Sequence, residues 1–443
     1  MDWNAKIKQI LLLAGDVAVF YAALLLTLIL RYGRDYVDYT EFHFWPFTLV
    51  LTGWIVVLYI TGLYDLRALK NDPIFLKQFG GVIAINAILA VAVFYLLPLG
   101  ITPRTNLFIF LIISNLVLYI WRSFYNTTIS SGKPANRMLL VGYNTTAEEA
   151  ALYIEKHPQL GYEIKFWMKE GLQDKEFDHL AQIIMSNDIN LIIVPAHIKK
   201  NAKAARLIYQ QITLGIEVID LSGLYERIFR KVPLAELEEV WFLENLAKDY
   251  QLYEFFKRPL DLIATLILAV IFLPFSVIIA LLVALTSRGP VILRQVRIGK
   301  NGRPFTLYKF RTMIADAEKN GPQFSVPGDK RSTPFGALLR RTHLDEVPQI
   351  INVFRGDLSL IGPRPERPEF VQQLQKEIPF YDLRHIVRPG ITGWAQTHYR
   401  YGATAEDMYE KIQFDIYYLK NRGIILDIII GLKTLKFFLV NFK

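Results

Sequence analysis

The 443-residue chain contains no cysteine. That excludes disulfides, thiolate catalysis and cysteine-based zinc sites. Charge is scarce in four N-terminal runs, roughly 9–30, 45–63, 80–97 and 106–121. A complete dinucleotide fingerprint is also missing. The one strand-to-glycine turn that begins like it reads GYNTTAE from Gly142 and lacks the later glycines of GxGxxG. Despite a formal charge of +9, neither a recognition-helix pattern nor a sheet of interleaved aromatic and basic residues is legible, so nucleic acid is not an expected partner. An anionic lipid surface or phosphorylated substrates account for the same basic excess.

What is abundant is apolar sequence. Hydrophobic residues make up 52% of the chain and the mean hydropathy is +0.26, concentrated before residue 122 and again at 260–286. Each of the four N-terminal runs approaches the length a helix needs to cross about 30 Å of hydrocarbon. Region 1–125 is therefore expected to be a four-helix transmembrane bundle, with a retained anchor and not a signal peptide at its start. Asp16 and Asn86 interrupt the first and third runs and are expected to face other helices. Loops 31–44 and 98–105 have little net positive charge. Loop 64–79 carries Arg67, Lys70 and Lys77, and the stretch after the fourth run carries Arg122, Lys133 and Arg137. Basic loops favour the cytoplasm, which predicts a cytoplasmic N-terminus and a cytoplasmic remainder after residue 122.

Residues 134–225 alternate strand-like and helix-like patterns: RMLLVG, TAEEAALYIEKH, YEIKFWM, INLIIVP and IEVIDL. This predicts a Rossmann-like α/β middle domain with a parallel sheet. A scaffolding or regulatory role suits it better than a nucleotide site at Gly142. Residues 226–255 read as a linker. The apolar stretch 260–286 has Lys257 and Arg258 before it, and Arg288, Arg294 and Arg297 after it, with Pro274 near its middle. Two basic flanks and a proline predict a re-entrant helix that bends at Pro274 and returns, with a kinked spanning helix as the alternative.

Region 256–443 is basic and rich in motifs. Asp345 and Glu346 adjoin each other among Arg340, Arg341 and Arg364. These cations would keep Asp345 ionised and bind phosphates, and a carboxylate pair suits Mg²⁺. The residue types leave open a second reading, in which Thr342 caps a helix and both acids only stabilise its first turn. Lys309, Arg311 and Arg388 are candidate phosphate contacts, and Lys257, Arg258 and Asp261 are expected to organise the membrane entry. Gly390 and Gly393 belong to a rigid turn with Arg388 and Pro389, and the glycines can serve geometry alone. His343 and His398 are expected to be structural. Stretch 424–438 reads as an interfacial helix.

Residues 256–443 resemble the bacterial sugar transferases, the monotopic polyprenyl-phosphate phosphoglycosyl transferases. The likeness runs through FKRPLDLIAT, GPVILRQVRIGKNGRPFTLYKFRTM, LRRTHLDEVPQIINVFRGDLSLIGPRPERPEF and VRPGITGWAQ. With four N-terminal helices and an α/β domain ahead of it, the layout resembles the large exopolysaccharide-initiating branch. The resemblance implies transfer of a sugar 1-phosphate from a nucleoside diphosphate sugar, with a UDP-sugar as the expected donor, to undecaprenyl phosphate. It assigns Asp345 as the nucleophile of a covalent phosphosugar intermediate, Glu346 to Mg²⁺ and positioning, and Arg364 to substrate phosphate. It also implies a bacterial inner (cytoplasmic) membrane location, contact with inner-membrane lipids, and a membrane helix broken at Pro274. Leu273 stands where some members have serine. A homo-oligomer is compatible with the sequence, but nothing in it requires one. A membrane scaffold with a structural Asp-Glu pair and a polytopic transporter are the rival classes.

Overall fold

In a computed structural model, residues 3–440 are described apart from 98, 100–103, 132–133, 170–178, 213–214, 248–249, 315–316, 318, 320, 322–328, 330 and 400–403. The chain divides into two units, Met1–Ile228 with Leu435–Lys443, and Phe229–Thr434.

The first unit begins with four helices, α1 (Trp3–Tyr32), α2 (Tyr36–Thr61), α3 (Pro73–Leu96) and α4 (Arg104–Ser131). Long apolar runs become helices because each backbone donor then finds its acceptor within the same segment, as hydrocarbon requires. Asp72 caps α3 through the Phe75 amide, with Pro73 in the first turn. Helix stretches Lys6–Thr61, Pro73–Leu96, Arg104–Ile129 and Gln251–Thr286 are long and apolar enough to cross a membrane. Phe20, Phe47, Trp54, Phe94 and Phe110 fill the middle of the bundle. Asp16 and Asn86 are both buried in it. Asp16 pairs with Arg122 and accepts a 2.6 Å hydrogen bond from Tyr64. Arg122, a loop charge by its place in the sequence, is thus the buried counter-ion of Asp16. A lone carboxylate there would carry a large desolvation cost, which the pairing offsets.

After the bundle come β1 (Asn136–Val141), α5 (Thr145–Lys156), β2 (Tyr162–Met168), α6 (Leu180–Ser186), β3 (Leu191–Val194), α7 (Ala202–Ile212), β4 (Glu217–Asp220) and α8 (Leu221–Phe229). The four strands form one parallel sheet in the order β2-β1-β3-β4. Gly142 follows β1, but Ile198 and Pro195 side chains lie 3.0 and 3.4 Å from where a Cβ would stand, and Trp167 donates to its carbonyl at 2.8 Å. The corner is filled by the domain's own side chains. The 157–161 turn seats this domain on the bundle: Leu160 packs against the bundle core, and fully buried Gln159 donates to the Arg67 carbonyl at 3.2 Å.

The second unit corrects the expected linker. Val232, Leu234, Leu237 and Phe242, the last on α9 (Glu239–Leu246), belong to the same core as Ile412, Tyr418 and Trp394. Lys231 pairs with Glu410 at 2.9 Å and the Val232 amide donates to the Gln413 carbonyl at 3.1 Å. The stretch 231–237 and Phe242 therefore pack into the catalytic core instead of forming a free linker, because their apolar residues have a face to bury. Next comes α10 (Gln251–Thr286), whose backbone stays helical through Pro259 and Pro274. Its buried residues fall in two groups, Lys257, Asp261 and Thr265 at one end, and Ile279 and Val283 at the other. Between them the residues around Pro274 are exposed and apolar, among them Val270, Ile271, Leu273, Phe275 and Val277. Ser276 donates to the Phe272 carbonyl at 2.8 Å, a bond of the kind that bends helices.

The remaining elements are the hairpin β5 (Ile292–Ile298) and β6 (Pro304–Phe310), α11 (Pro334–Thr342), α12 (Ile350–Arg355), β7 (Ser359–Ile361), α13 (Pro368–Glu377), β8 (Gly390–Thr392), α14 (Trp394–His398), α15 (Ala405–Asn421) and α16 (Ile424–Val440). Strands β7 and β8 pair in parallel.

Candidate active site

Helix α11 starts at Thr333, whose hydroxyl accepts from the Gly336 amide at 3.0 Å, and ends at His343. His343 adopts the left-handed conformation, with φ of 56°, that closes helix C-termini. The chain leaves this turn as a 3₁₀ segment, Leu344–Gln349, carrying Asp345 and Glu346 in its first turn. The role of His343 that the structure supports is thus one of backbone geometry. The Thr342 hydroxyl donates back to the Leu338 and Leu339 carbonyls at 2.9 and 3.1 Å. It caps nothing, which removes the helix-cap reading of Asp345.

Both acids are buried. Glu346 Oε1 receives Arg364 Nη2 at 2.5 Å, and Lys309 Nζ stands 3.7 Å away. Among the described residues no hydrogen bond reaches the Asp345 carboxylate, which senses Lys309, Arg364 and Arg340 only through space. The two acids consequently diverge. Burial, then the neighbouring Glu346 charge, raise Asp345 to about 6. Burial opposes charge on Glu346 as well, but Arg364 and Lys309 outweigh it and hold that carboxyl low. Burial also pushes Lys309 down to about 8, against the pull of Glu346. A desolvated carboxylate free of hydrogen bonds can attack an electrophile, while the cations beside it can hold anionic groups. Arg364 is suited to this because its side chain remains 37% exposed while paired.

The other candidates separate. Arg340 donates to Ser332 at 3.0 Å and lies close enough to influence Asp345. Arg341 is exposed. Arg388 faces Glu254 at 3.9 Å instead of the dyad. Arg311 is buried with its guanidinium donating to the Ser287 hydroxyl and carbonyl and to the Pro290 carbonyl at 2.5–2.9 Å, so its donors brace the chain after α10. Near the start of α10, Lys257 bridges Asp261 at 3.0 Å and Asp427 at 2.8 Å, Ser359 donates to Asp261 at 2.7 Å, and Arg258 donates to the Val353 carbonyl at 2.6 Å. Asp427 and Tyr253, which donates to it at 2.9 Å, carry no signal in the sequence that singles them out. In an apolar stretch, Asp427 reads only as an interruption.

The glycines of the two late motifs have a steric reason. A Cβ on Gly362 would meet the Arg388 carbonyl at 2.5 Å, one on Gly390 the Gly362 amide at 2.1 Å, and one on Gly393 the Gly362 carbonyl at 2.2 Å. The backbone that leads into Arg364 crosses the β8 turn at a distance only glycine permits. His398 stacks on Phe414 and approaches Lys433 Nζ at 3.0 Å, away from the dyad's own contacts.

A hard dication fits this donor set in a limited way. Among the described residues no group of three or more His, Cys, Asp or Glu gathers. Mg²⁺, however, accepts one or two carboxylates and completes its shell with phosphate oxygens and water. The adjacent acids satisfy that requirement.

Residues 252–441 match the family model described as Bacterial sugar transferase. Over 254 residues the chain is 39% identical to the UDP-N-acetylgalactosamine-undecaprenyl-phosphate N-acetylgalactosaminephosphotransferase of Aeromonas hydrophila, covering 53% of this chain and 60% of that one. A putative undecaprenyl-phosphate N-acetylgalactosaminyl 1-phosphate transferase of Bacillus subtilis is 47% identical over 157 residues, 35% of this chain and 86% of its own length. The UDP-glucose:undecaprenyl-phosphate glucose-1-phosphate transferase of Xanthomonas campestris is 29% identical over 326 residues, 69% of this chain and 67% of that one. With the motifs, the buried dyad and these relatives in agreement, the chain belongs to the bacterial sugar transferase family.

Proposed function

We propose that the protein transfers a sugar 1-phosphate from a nucleoside diphosphate sugar, a UDP-sugar by analogy with its relatives, to undecaprenyl phosphate. The observation that carries this reading is the asymmetry of the dyad: Glu346 is tied to Arg364 while Asp345 accepts no hydrogen bond from any described residue. In the first step an Asp345 carboxylate oxygen attacks the sugar-linked phosphorus. The bond from that phosphorus to the bridging oxygen breaks, and the nucleoside monophosphate leaves with the electron pair. In the second step an oxygen of the lipid phosphate attacks the same phosphorus, breaks the acyl-phosphate bond and frees Asp345. The product is a polyprenyl diphosphosugar, suited to starting exopolysaccharide or another glycan.

Arg364 and Lys309 would bind the anionic oxygens, with Arg340 adding positive potential. Glu346, with Asp345 alongside, would hold Mg²⁺. When bound, that ion neutralises charge on the diphosphate.

The membrane helix α10 fits a re-entrant form. At 1.5 Å per residue, Asp261 and Val283 would lie about 33 Å apart on a straight helix. Asp261 nevertheless bonds Ser359, and Val283 packs with Phe310 and Leu339, in one catalytic unit. A bend near Pro274 is compatible with both anchors and would keep both flanks at the cytoplasmic face of the inner membrane.

The test uses the full-length protein in nanodiscs, screened against activated sugars with Mg²⁺ and no lipid acceptor. Intact-protein mass is expected to rise by one sugar phosphate and to fall back when undecaprenyl phosphate is added. Absence of nucleoside monophosphate release with every activated sugar, with acceptor present, would sink the proposal and favour a scaffold.

A further inference from the structure

Pro363 and Pro365 flank Arg364 and carry no amide hydrogen, so their own backbone can be held only through carbonyls. Four consecutive carbonyls each accept a hydrogen bond. That of Pro363 accepts from the Gly390 amide at 2.9 Å, Arg364 from Arg384 Nη2 at 2.9 Å, Pro365 from Arg297 Nη1 at 3.1 Å, and Glu366 from the Ile298 amide at 2.9 Å. The bond at Arg364 itself comes from a side chain that is otherwise deep in the core. Arg384 is 4% exposed, donates to the Tyr381 hydroxyl at 2.9 Å and pairs with buried Asp415 at 2.9 Å.

We propose that Arg384, aimed by Asp415 and Tyr381, is a positioning residue that sets the backbone of Arg364 so that its guanidinium meets Glu346. This rests on the reading of Arg364 as a phosphate-binding group. Arg384 has its described contacts with Tyr381, Asp415 and the Arg364 carbonyl, so it acts through Arg364 and not on substrate. The guanidinium fork reaches a phenol, a carboxylate and a carbonyl together, whereas a lysine ammonium at the end of a shorter reach cannot keep all three directions. A small shift of the Arg364 backbone would be magnified at the end of its side chain, where misplacement by about 1 Å costs on the order of 10²-fold in rate.

The experiment compares wild type, Arg384→Lys, Arg364→Lys and the double variant, all full-length in nanodiscs. Arg384→Lys retains a positive charge for Asp415. It is expected to lower kcat by about 10- to 100-fold, and to speed hydrogen exchange at the Gly390 and Ile298 amides, which donate to the Pro363 and Glu366 carbonyls, while leaving α1–α4 protected as before. In the Arg364→Lys background the same substitution is expected to change kcat by no more than about twofold, because the group being positioned is already gone. Tyr381→Phe is the milder second variant should Arg384→Lys fold poorly. It removes one aiming contact, keeps the ring, and is expected to raise exchange at the same two amides. Additive losses in the cycle, or unchanged exchange at those amides, overturn the proposal. If the wild type releases no nucleoside monophosphate from any activated sugar, the transferase reading falls, and the exchange data still decide the positioning role.

Discussion

Arg364 Nη2 sits 2.5 Å from Glu346 Oε1, yet among the described residues no hydrogen bond reaches the Asp345 carboxylate one position earlier. The pairing divides two adjacent acids into an anchored one and an available one. Asp345→Asn is therefore expected to abolish both half-reactions, since a carboxamide cannot form the acyl phosphate productively. Because the Thr342 hydroxyl bonds back to Leu338 and Leu339, no cap is lost, and the variant is expected to unfold at nearly the wild-type temperature. Wild-type turnover by this variant would rule the mechanism out.

Glu346→Gln should separate binding from folding. Arg364 loses its counter-charge, and kcat is expected to fall by about 10²-fold or more, as when a preorganised electrostatic contact is removed. The stability loss should be modest, about 1–2 kcal/mol, because Arg364 is partly exposed and water can solvate its freed charge. Turnover and denaturation curves on one preparation check both figures. Partial recovery of rate at raised Mg²⁺ would point to weakened metal binding as the defect.

The absence of native cysteine makes topology directly measurable. Single cysteines at Leu252→Cys, in the first turn of α10, and Arg288→Cys, just past its end, bracket its apolar stretch. If the helix turns back near Pro274, both should react with an impermeant maleimide only when the cytoplasmic face is open. Labelling of the two positions from opposite faces would mean that α10 crosses. Pro274→Leu should restore a regular helix and lower activity while the protein remains inserted.

His385 supplies a pH signature within the catalytic unit. Burial, then the adjacent Arg384 charge, lower its pKa to about 4, with Asp382 at 3.8 Å pulling the other way. The unfolded chain, with histidine near 6.5, binds the proton more readily than the folded one between these values. Its contribution to stability is thus complete above about pH 6.5 and is lost as pH falls toward 4, amounting to on the order of 3 kcal/mol. Thermal midpoints across that interval should fall less steeply for His385→Gln than for wild type. Parallel slopes would mean that other groups carry the acid sensitivity.

Patterns local in the chain are legible in the sequence itself. Apolar runs near bilayer length mark the helices of the bundle, and alternating strand and helix patterns mark the parallel sheet, because both depend on backbone hydrogen bonding and the burial of one face. The adjacency of Asp345 and Glu346 and the motifs around them are equally open to reading. Partners distant in sequence are not. Nothing in the local pattern around Arg122 says that it neutralises Asp16, and the apolar stretch around Asp427 does not reveal Lys257 as its counter-ion. By residue type Arg311 reads as a phosphate ligand, but its donors lie on Ser287 and Pro290. Residues 226–255 read as a linker, yet Val232 and Phe242 lie in the core. A side chain's type and periodicity are properties of the sequence, and they determined the elements and the chemical repertoire. Which charge meets which, and which carboxylate is left unbonded, depends on directions and distances between segments far apart in the chain, and those were decided only when the elements packed.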